Sequence, residues 1–183
     1  MNDSPRIASK RVYTGRVINL DIDTVRFPNG TIGELEMIRH SGASAVVPFL
    51  SDPTGDDPQV LLIRQYRYAA EGFVYEIPAG RLDTGEEPVG CARRELREET
   101  GCDAERVEHL TTIYTTPGFT DERIYLFMAV GLTRGELARE ADEFIELETM
   151  PLSRALDLVE GGAIQDAKTI VGLLYAAGFR AGR

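Results

Sequence analysis

One stretch of this chain, "FVYEIPAGRLDTGEEPVGCARRELREETGC" from Phe73 to Cys102, sets a strand, a tight loop and a helix in that order, and so restricts the fold more than any other feature. The apolar and aromatic residues of "FVYEIPAG" read as a strand stopped by Pro78 and Gly80. "RLDTGEE" is rich in turn formers, and a helix follows from about Pro88 to Thr100, because proline suits a first helical turn and Gly101 suits a helix end. Such a strand needs a sheet to join, and such a helix needs an apolar layer to cover.

The helix carries a conflict. With Glu95 taken as the zero of angle, Glu99 lies at about 40° and Glu98 at about 300°, so three carboxylates share one arc. Val89, Ala92 and Leu96 fall at about 120°, 60° and 100°, which puts the apolar stripe beside the acidic face. Like charges at i and i+4 cost a few tenths of a kcal/mol in water, and more where they are partly desolvated. A divalent cation reverses the sign of that cost, since glutamate oxygens are hard ligands for Mg²⁺. The alternative is a solvated helix in which Arg94 pairs with Glu98 and the other charges face water.

The remaining segments are a mixture. Alternation from Lys10 to Met37, broken at "PNG", predicts antiparallel strands with a hairpin. "ASAVVPFL" and "QVLLIRQYRY" read as strands around the loop "SDPTGDDP", whose aspartates lack the ordered ligand spacing of a calcium loop. "HLTTIYTTPGF", "RIYLFMAVGL" and "EFIELETM" are further strand-like runs, and "PLSRALDLVEGG" and "QDAKTIVGLLYAAGF" read as helices. There is no regular βαβ alternation, so the expected class is α+β with a mixed sheet between helices and a small N-terminal antiparallel sheet.

The totals narrow the function. The 183 residues suit one domain, with residues 1–42 as a strand region and 43–183 as the main domain. A formal charge of −10 argues against a nucleic-acid surface, which needs clustered Lys and Arg. No apolar run is long enough to span a membrane, and "MNDSPRIASK" lacks the apolar core of a signal peptide, so a cytoplasmic location is expected. Cys91 and Cys102 are the only cysteines and are expected as reduced thiols. His40 and His109 are too few for a histidine-based zinc site, and no phosphate loop of the GxxxxGK[ST] kind occurs.

The spacing of Gly80, Glu86, Arg94-Glu95-Leu96, Glu98-Glu99, Gly101 and an apolar last place resembles the box of the Nudix hydrolases, with Cys102 a mild departure at that last place. "LIRQYR", "YEIPAGRL", "TTPGFTDE", "DEFIEL" and "AKTIVGLLY" extend the resemblance to the ADP-ribose pyrophosphatase branch, and Pro117 stands where that branch carries a proline. The resemblance implies an α/β/α sandwich and Mg²⁺-dependent attack of water on a nucleoside diphosphate linked to another group, with Mn²⁺ or another divalent cation as a substitute. It also implies a homodimer that exchanges N-terminal strands. For the branch it implies cleavage of ADP-ribose to AMP and ribose 5-phosphate.

By the same resemblance, Glu95, Glu98, Glu99 and the carbonyl of Ala79 hold metal, and Glu98 takes part in catalysis by sharing a second ion. Gly80, Gly85 and Gly101 shape the box, and Glu86 with Arg94 forms its internal ion pair. Arg67 binds phosphate, as its guanidinium fork suits, and Gly118 and Glu122 border the substrate. Glu143 is the candidate general base, with Glu140 and Asp142 as competitors. The rival readings are the same chemistry on a GDP-sugar, a non-catalytic ADP-ribose-binding module, and a hydrolase of damaged nucleoside triphosphates.

Overall fold

The computed structural model describes residues 5–135 and 144–179. The described chain falls into two compact units, one within Met1–Gly42 together with Tyr114–Arg123, the other within Ala43–Ile113 and Ile124–Arg183.

The first unit is built on three antiparallel strands in the order β1 (Arg6–Thr14), β2 (Asn19–Arg26), β3 (Ile32–Arg39). The alternation expected to run unbroken from Lys10 is interrupted at Gly15–Ile18, where the Gly15 N–H donates to the Ile18 carbonyl at 2.9 Å. The β2–β3 turn sits at "PNG": Gly30 has φ 86°, and the Asn29 side chain accepts from both the N–H and the hydroxyl of Thr31. β2 turns Asp21 and Asp23 to its more buried face. Arg39 bridges both to Asp121 of the inserted segment, and Arg11 closes on Asp21 from the facing strand. The other residues of the sheet leave Ile7, Val12, Tyr13 and Ile32 exposed.

Among the described residues the second unit holds two sheets and three α-helices. A mixed sheet has the order β7 (Ala79–Arg81), β4 (Ala43–Pro48), β9 (Arg123–Arg134), β8 (Cys102–Tyr114), with β4 parallel to β9 and antiparallel to β7. An antiparallel sheet has the order β10 (Ile145–Pro151), β5 (Gln59–Arg67), β6 (Gly72–Glu76). The period of two in β4 divides the core. Ala45 and Val47 join the cluster containing Leu173 and Ala155 of α3 (Ala167–Phe179) and α2 (Leu152–Glu160), while Val46 joins Ala92 and Leu96 of α1 (Pro88–Thr100). This is the expected helix, sheet, helix layering. No helix among the described residues is long and apolar enough to cross a membrane.

Two boundaries differ from the sequence expectation. "FVYEIPAG" is two strands, because Pro78 has no N–H for a ladder and the chain changes sheet there, leaving β6 at Glu76 and entering β7 at Ala79. β8 starts at Cys102 rather than His109, directly after the helix stop at Gly101.

Candidate functional site

Helix α1 begins at Pro88 and ends at Thr100, capped by Gly101, whose φ of 69° lets its N–H return to the Arg97 carbonyl at 2.8 Å. Its buried residues are Cys91, Ala92, Glu95, Leu96, Glu99 and Thr100, so two of the three carboxylates of the acidic arc enter the core while Glu98 stays at its edge. Val89 does not enter the core: it stands in the first turn, before the helix settles on the sheet, and is exposed. Glu95 and Glu99 retain only 8% and 2% of their accessible surface. Burial of two carboxylates at this depth is costly unless each is paired.

The pairing is asymmetric. Arg94 grips Glu86 with Nε and Nη2, both at 2.9 Å, and donates from Nη2 to the Arg81 carbonyl at 3.0 Å. Its Nη1 reaches Glu95 at 2.6 Å and Glu98 at 2.9 Å. The hydrogen bond from Arg94 pulls the Glu86 carboxyl down to about 2, despite the opposing effect of burial, and the Asp83 N–H helps. With Gly85 at φ 78° and the Glu86 N–H on the Asp83 carbonyl at 3.0 Å, the loop before α1 is tied to the helix it precedes.

Glu99 faces the other way and accepts the Ala79 N–H at 3.0 Å. Gly80 has no side chain because none fits: a Cβ there would lie inside the Glu95 carboxylate. Cys91 backs the same segment, with its thiol 3.4 Å from the Gly80 carbonyl, and burial pushes it up to about 11. The donors are hard oxygens, which suit Mg²⁺ or a similar cation, and an arriving cation would compete with Arg94 for Glu95 and Glu98. Among the described residues no three His, Cys, Asp or Glu side chains are already drawn together as a ligand set. Of the three carboxylates on the arc, Glu95 and Glu98 are ion-paired to Arg94, as the alternative reading expected for Glu98, while Glu99 is held by the Ala79 N–H.

Arg67, at the end of β5, places its fork on Glu76, with Nε at 2.6 Å and Nη2 at 2.8 Å. Lys168 of α3 pairs with the same carboxylate and with Asp166. Burial works to raise the Glu76 carboxyl, but Arg67 and Lys168 outweigh it and hold it below its ordinary value. These groups, with Gln165, line a cavity of about 440 Å³. Sequence reading did not single out Glu76 or Lys168. The signal was available: one acid within an apolar strand, and one cation near the start of an apolar helix, are charges that need a partner when buried.

Gly118 and Glu122 lie in the first unit. Glu122 accepts from the Thr115 hydroxyl at 2.8 Å and stands 3.3 Å from His40 Nδ1, and both line a cavity of about 270 Å³ with Val17, Ile38 and Phe119. Gly118 is in open space, where a Cβ would meet nothing within 4 Å. Glu143, Glu140 and Asp142 lie outside the described residues.

A family model, the NUDIX domain, matches residues 40–171 and so spans the acidic helix, the loop before it and the two sheets. The chain belongs to the Nudix family. This Nudix protein is 40% identical over 171 residues to an ADP-ribose pyrophosphatase of Bacillus subtilis, covering 92% of this chain and 90% of that protein. It is 39% identical over 171 residues to a methanol dehydrogenase activator of Bacillus methanolicus, with the same two shares covered. The solved structure of an ADP compounds hydrolase matches with a TM-score of 0.79 at 23% identity, covering 94% of this chain and 91% of that one, which supports the fold.

Proposed function

We propose that this Nudix protein hydrolyses the pyrophosphate bond of nucleoside diphosphate sugars, with ADP-ribose as the preferred substrate and AMP and ribose 5-phosphate as products. The observation that carries the reading is the acidic face of α1, with Glu95 and Glu99 buried against the Ala79–Gly80 segment. The 40% identity to an ADP-ribose pyrophosphatase across nearly its whole length supports the choice of substrate.

Lewis-acid polarisation of the pyrophosphate is the chemistry a divalent cation, Mg²⁺ first, supplies when bound; Glu95, Glu98, Glu99 and the Ala79 carbonyl are the groups that would hold it. The chain's own residues do the rest. Arg94 and Glu86 keep the loop and the helix in register. Arg67 presents its guanidinium, kept charged and oriented by Glu76, to a phosphate. Gly118 and Glu122 border the substrate. Glu143 orients and deprotonates the attacking water, and a Glu143→Gln protein with wild-type turnover would remove it from that role.

The working form is a homodimer in the cytoplasm. Residues 1–42 act as a strand-exchange region and 43–183 as the catalytic domain. The exposed apolar side chains Ile7, Val12, Tyr13 and Ile32 support a second copy as their cover. Two buried thiols, Cys91 and Cys102, suit a reducing compartment.

The deciding experiment measures AMP release from ADP-ribose with and without Mg²⁺, beside GDP-mannose and a nucleoside triphosphate. Fast Mg²⁺-dependent release with ADP-ribose preferred supports the proposal in full. Activity only on another substrate keeps the chemistry and discards the substrate, and no activity on any of them revives a binding module.

A further inference from the structure

Between Glu76 and Gly80 the chain leaves one sheet and enters the other, and each backbone N–H and carbonyl on the way needs a partner. Glu76 still pairs with Ile63 in the ladder of β5 and β6. Pro78 has no N–H, and its carbonyl takes the Val46 N–H at 2.9 Å. The Ala79 N–H goes to Glu99 at 3.0 Å, and from Ala79 onward the segment pairs with β4. The Ile77 N–H, like that of Ala79, is served by a side chain rather than by either sheet. It is fully buried, and it donates to the hydroxyl of Thr169 at 2.9 Å, a residue 92 positions away with no accessible surface.

Thr169 is itself held. Its hydroxyl donates to Asp166 Oδ2 at 2.6 Å, and its backbone N–H donates to the same oxygen at 3.0 Å, so Asp166 caps α3 and orients the hydroxyl with one carboxylate. The second oxygen of Asp166 lies 3.1 Å from Lys168 Nζ. One turn further along α3, Gly172 permits close approach: a Cβ there would stand 3.0 Å from Ile77 Cδ1 and 3.1 Å from Val47 Cγ2. A hydroxyl that accepts from Ile77 while donating to a carboxylate is a better acceptor than an isolated one.

We infer that Thr169, oriented by Asp166, is a positioning residue that fixes the Ile77–Gly80 crossover and, through the Ala79 peptide, sets Glu99 and the Ala79 carbonyl for a divalent cation. The cation part rests on the function proposed above; the crossover part does not. The signature is specific, because a valine at 169 has the same shape and keeps the packing while it leaves the Ile77 N–H without an acceptor.

The test compares wild type with Thr169→Ser, Thr169→Val and a core variant of the same helix, Leu173→Ala. Amide exchange at Ile77 and Ala79 is read by NMR in metal-free protein, and Mn²⁺ affinity by water-proton relaxation. Thr169→Val is expected to speed exchange at both amides by about tenfold and to weaken Mn²⁺ binding by about tenfold, with Thr169→Ser within about twofold of wild type on both. Leu173→Ala should lower the melting temperature and leave Mn²⁺ affinity in place. Wild-type exchange at Ile77 and Ala79 in Thr169→Val overturns the inference, and so does a loss of Mn²⁺ affinity in Leu173→Ala as large as that in Thr169→Val. If Thr169→Val does not fold, Asp166→Asn is judged on the same two readings. Mn²⁺ binding in this ranking by a protein that leaves ADP-ribose uncut would sink the substrate reading and leave the positioning role standing. Cleavage of ADP-ribose with Thr169→Val unchanged in exchange and affinity would do the reverse.

Discussion

Gly80→Ala tests whether the acidic face is built around a missing side chain. The new Cβ would stand inside the Glu95 carboxylate, and that side chain has little freedom to retreat: it is nearly buried, and Arg94 holds it at 2.6 Å. Overpacking of a tight site costs about 1–3 kcal/mol. Pulling Glu95 off Arg94 adds about 1.5–3 kcal/mol for a charged hydrogen bond. Taking part of each, the loss is about 3 kcal/mol, which for a chain of this size lowers the melting temperature by about 9 °C. Gly90→Ala is the control, since the nearest atom to its new Cβ is Glu86 Cγ at 3.9 Å and the site is inside α1. It should gain about 0.5–1 kcal/mol and raise the melting temperature by about 2 °C. Calorimetry of the metal-free proteins reads both. A Gly80→Ala protein melting within about 2 °C of wild type, or the two variants moving in the same direction, refutes the reasoning.

Three further outcomes are expected. The Glu86 carboxyl ionises near 2 in the folded chain against an ordinary 4.5, so its contribution is whole above about pH 4.5 and is lost as pH falls toward 2. Urea midpoints should show Glu86→Gln less stable than wild type at pH 6 by about 1 kcal/mol, after allowance for solvent screening, with the gap closing toward pH 3. Arg67→Lys keeps the charge but loses the two-pronged hold on Glu76, and steady-state kinetics on ADP-ribose should show KM raised by about tenfold with kcat less affected. Cys91 has no accessible surface, and burial pushes its thiol up to about 11, so in a Cys102→Ser background a disulfide reagent at pH 8 should label it at least about 100-fold more slowly than in urea.

Much of this was legible because local chemistry and global fold agree. The helix from Pro88 to Thr100 was readable to the residue, since proline and glycine bracket it and the acidic arc has a helical period. The hairpin at Asn29-Gly30 was readable for similar reasons. What was not legible is what depends on distant partners. The division of "FVYEIPAG" between two sheets follows from pairing with β5 on one side and β4 on the other, and periodicity is blind to that. The early start of β8 was hidden by the polar residues "DAERVE", which β-propensity alone demotes. At the site, the crowding of Glu95 and Glu99 was visible along the helix, but the hold of Lys168 on Glu76 joins residues 92 positions apart.

The division of the chain into units also has a consequence in time. The sheet of residues 6–39 comes off the ribosome before Tyr114–Arg123, yet that segment belongs to the same unit and supplies the Asp121 carboxylate that Arg39 holds. At synthesis rates of about 5–20 residues per second, the sheet waits roughly 5–15 s for that segment. During the wait Arg39 has Asp21 and Asp23 to hold but not Asp121. Until Asp121 is made, β3 is held to the sheet by its ladder with β2 and by those two ion pairs.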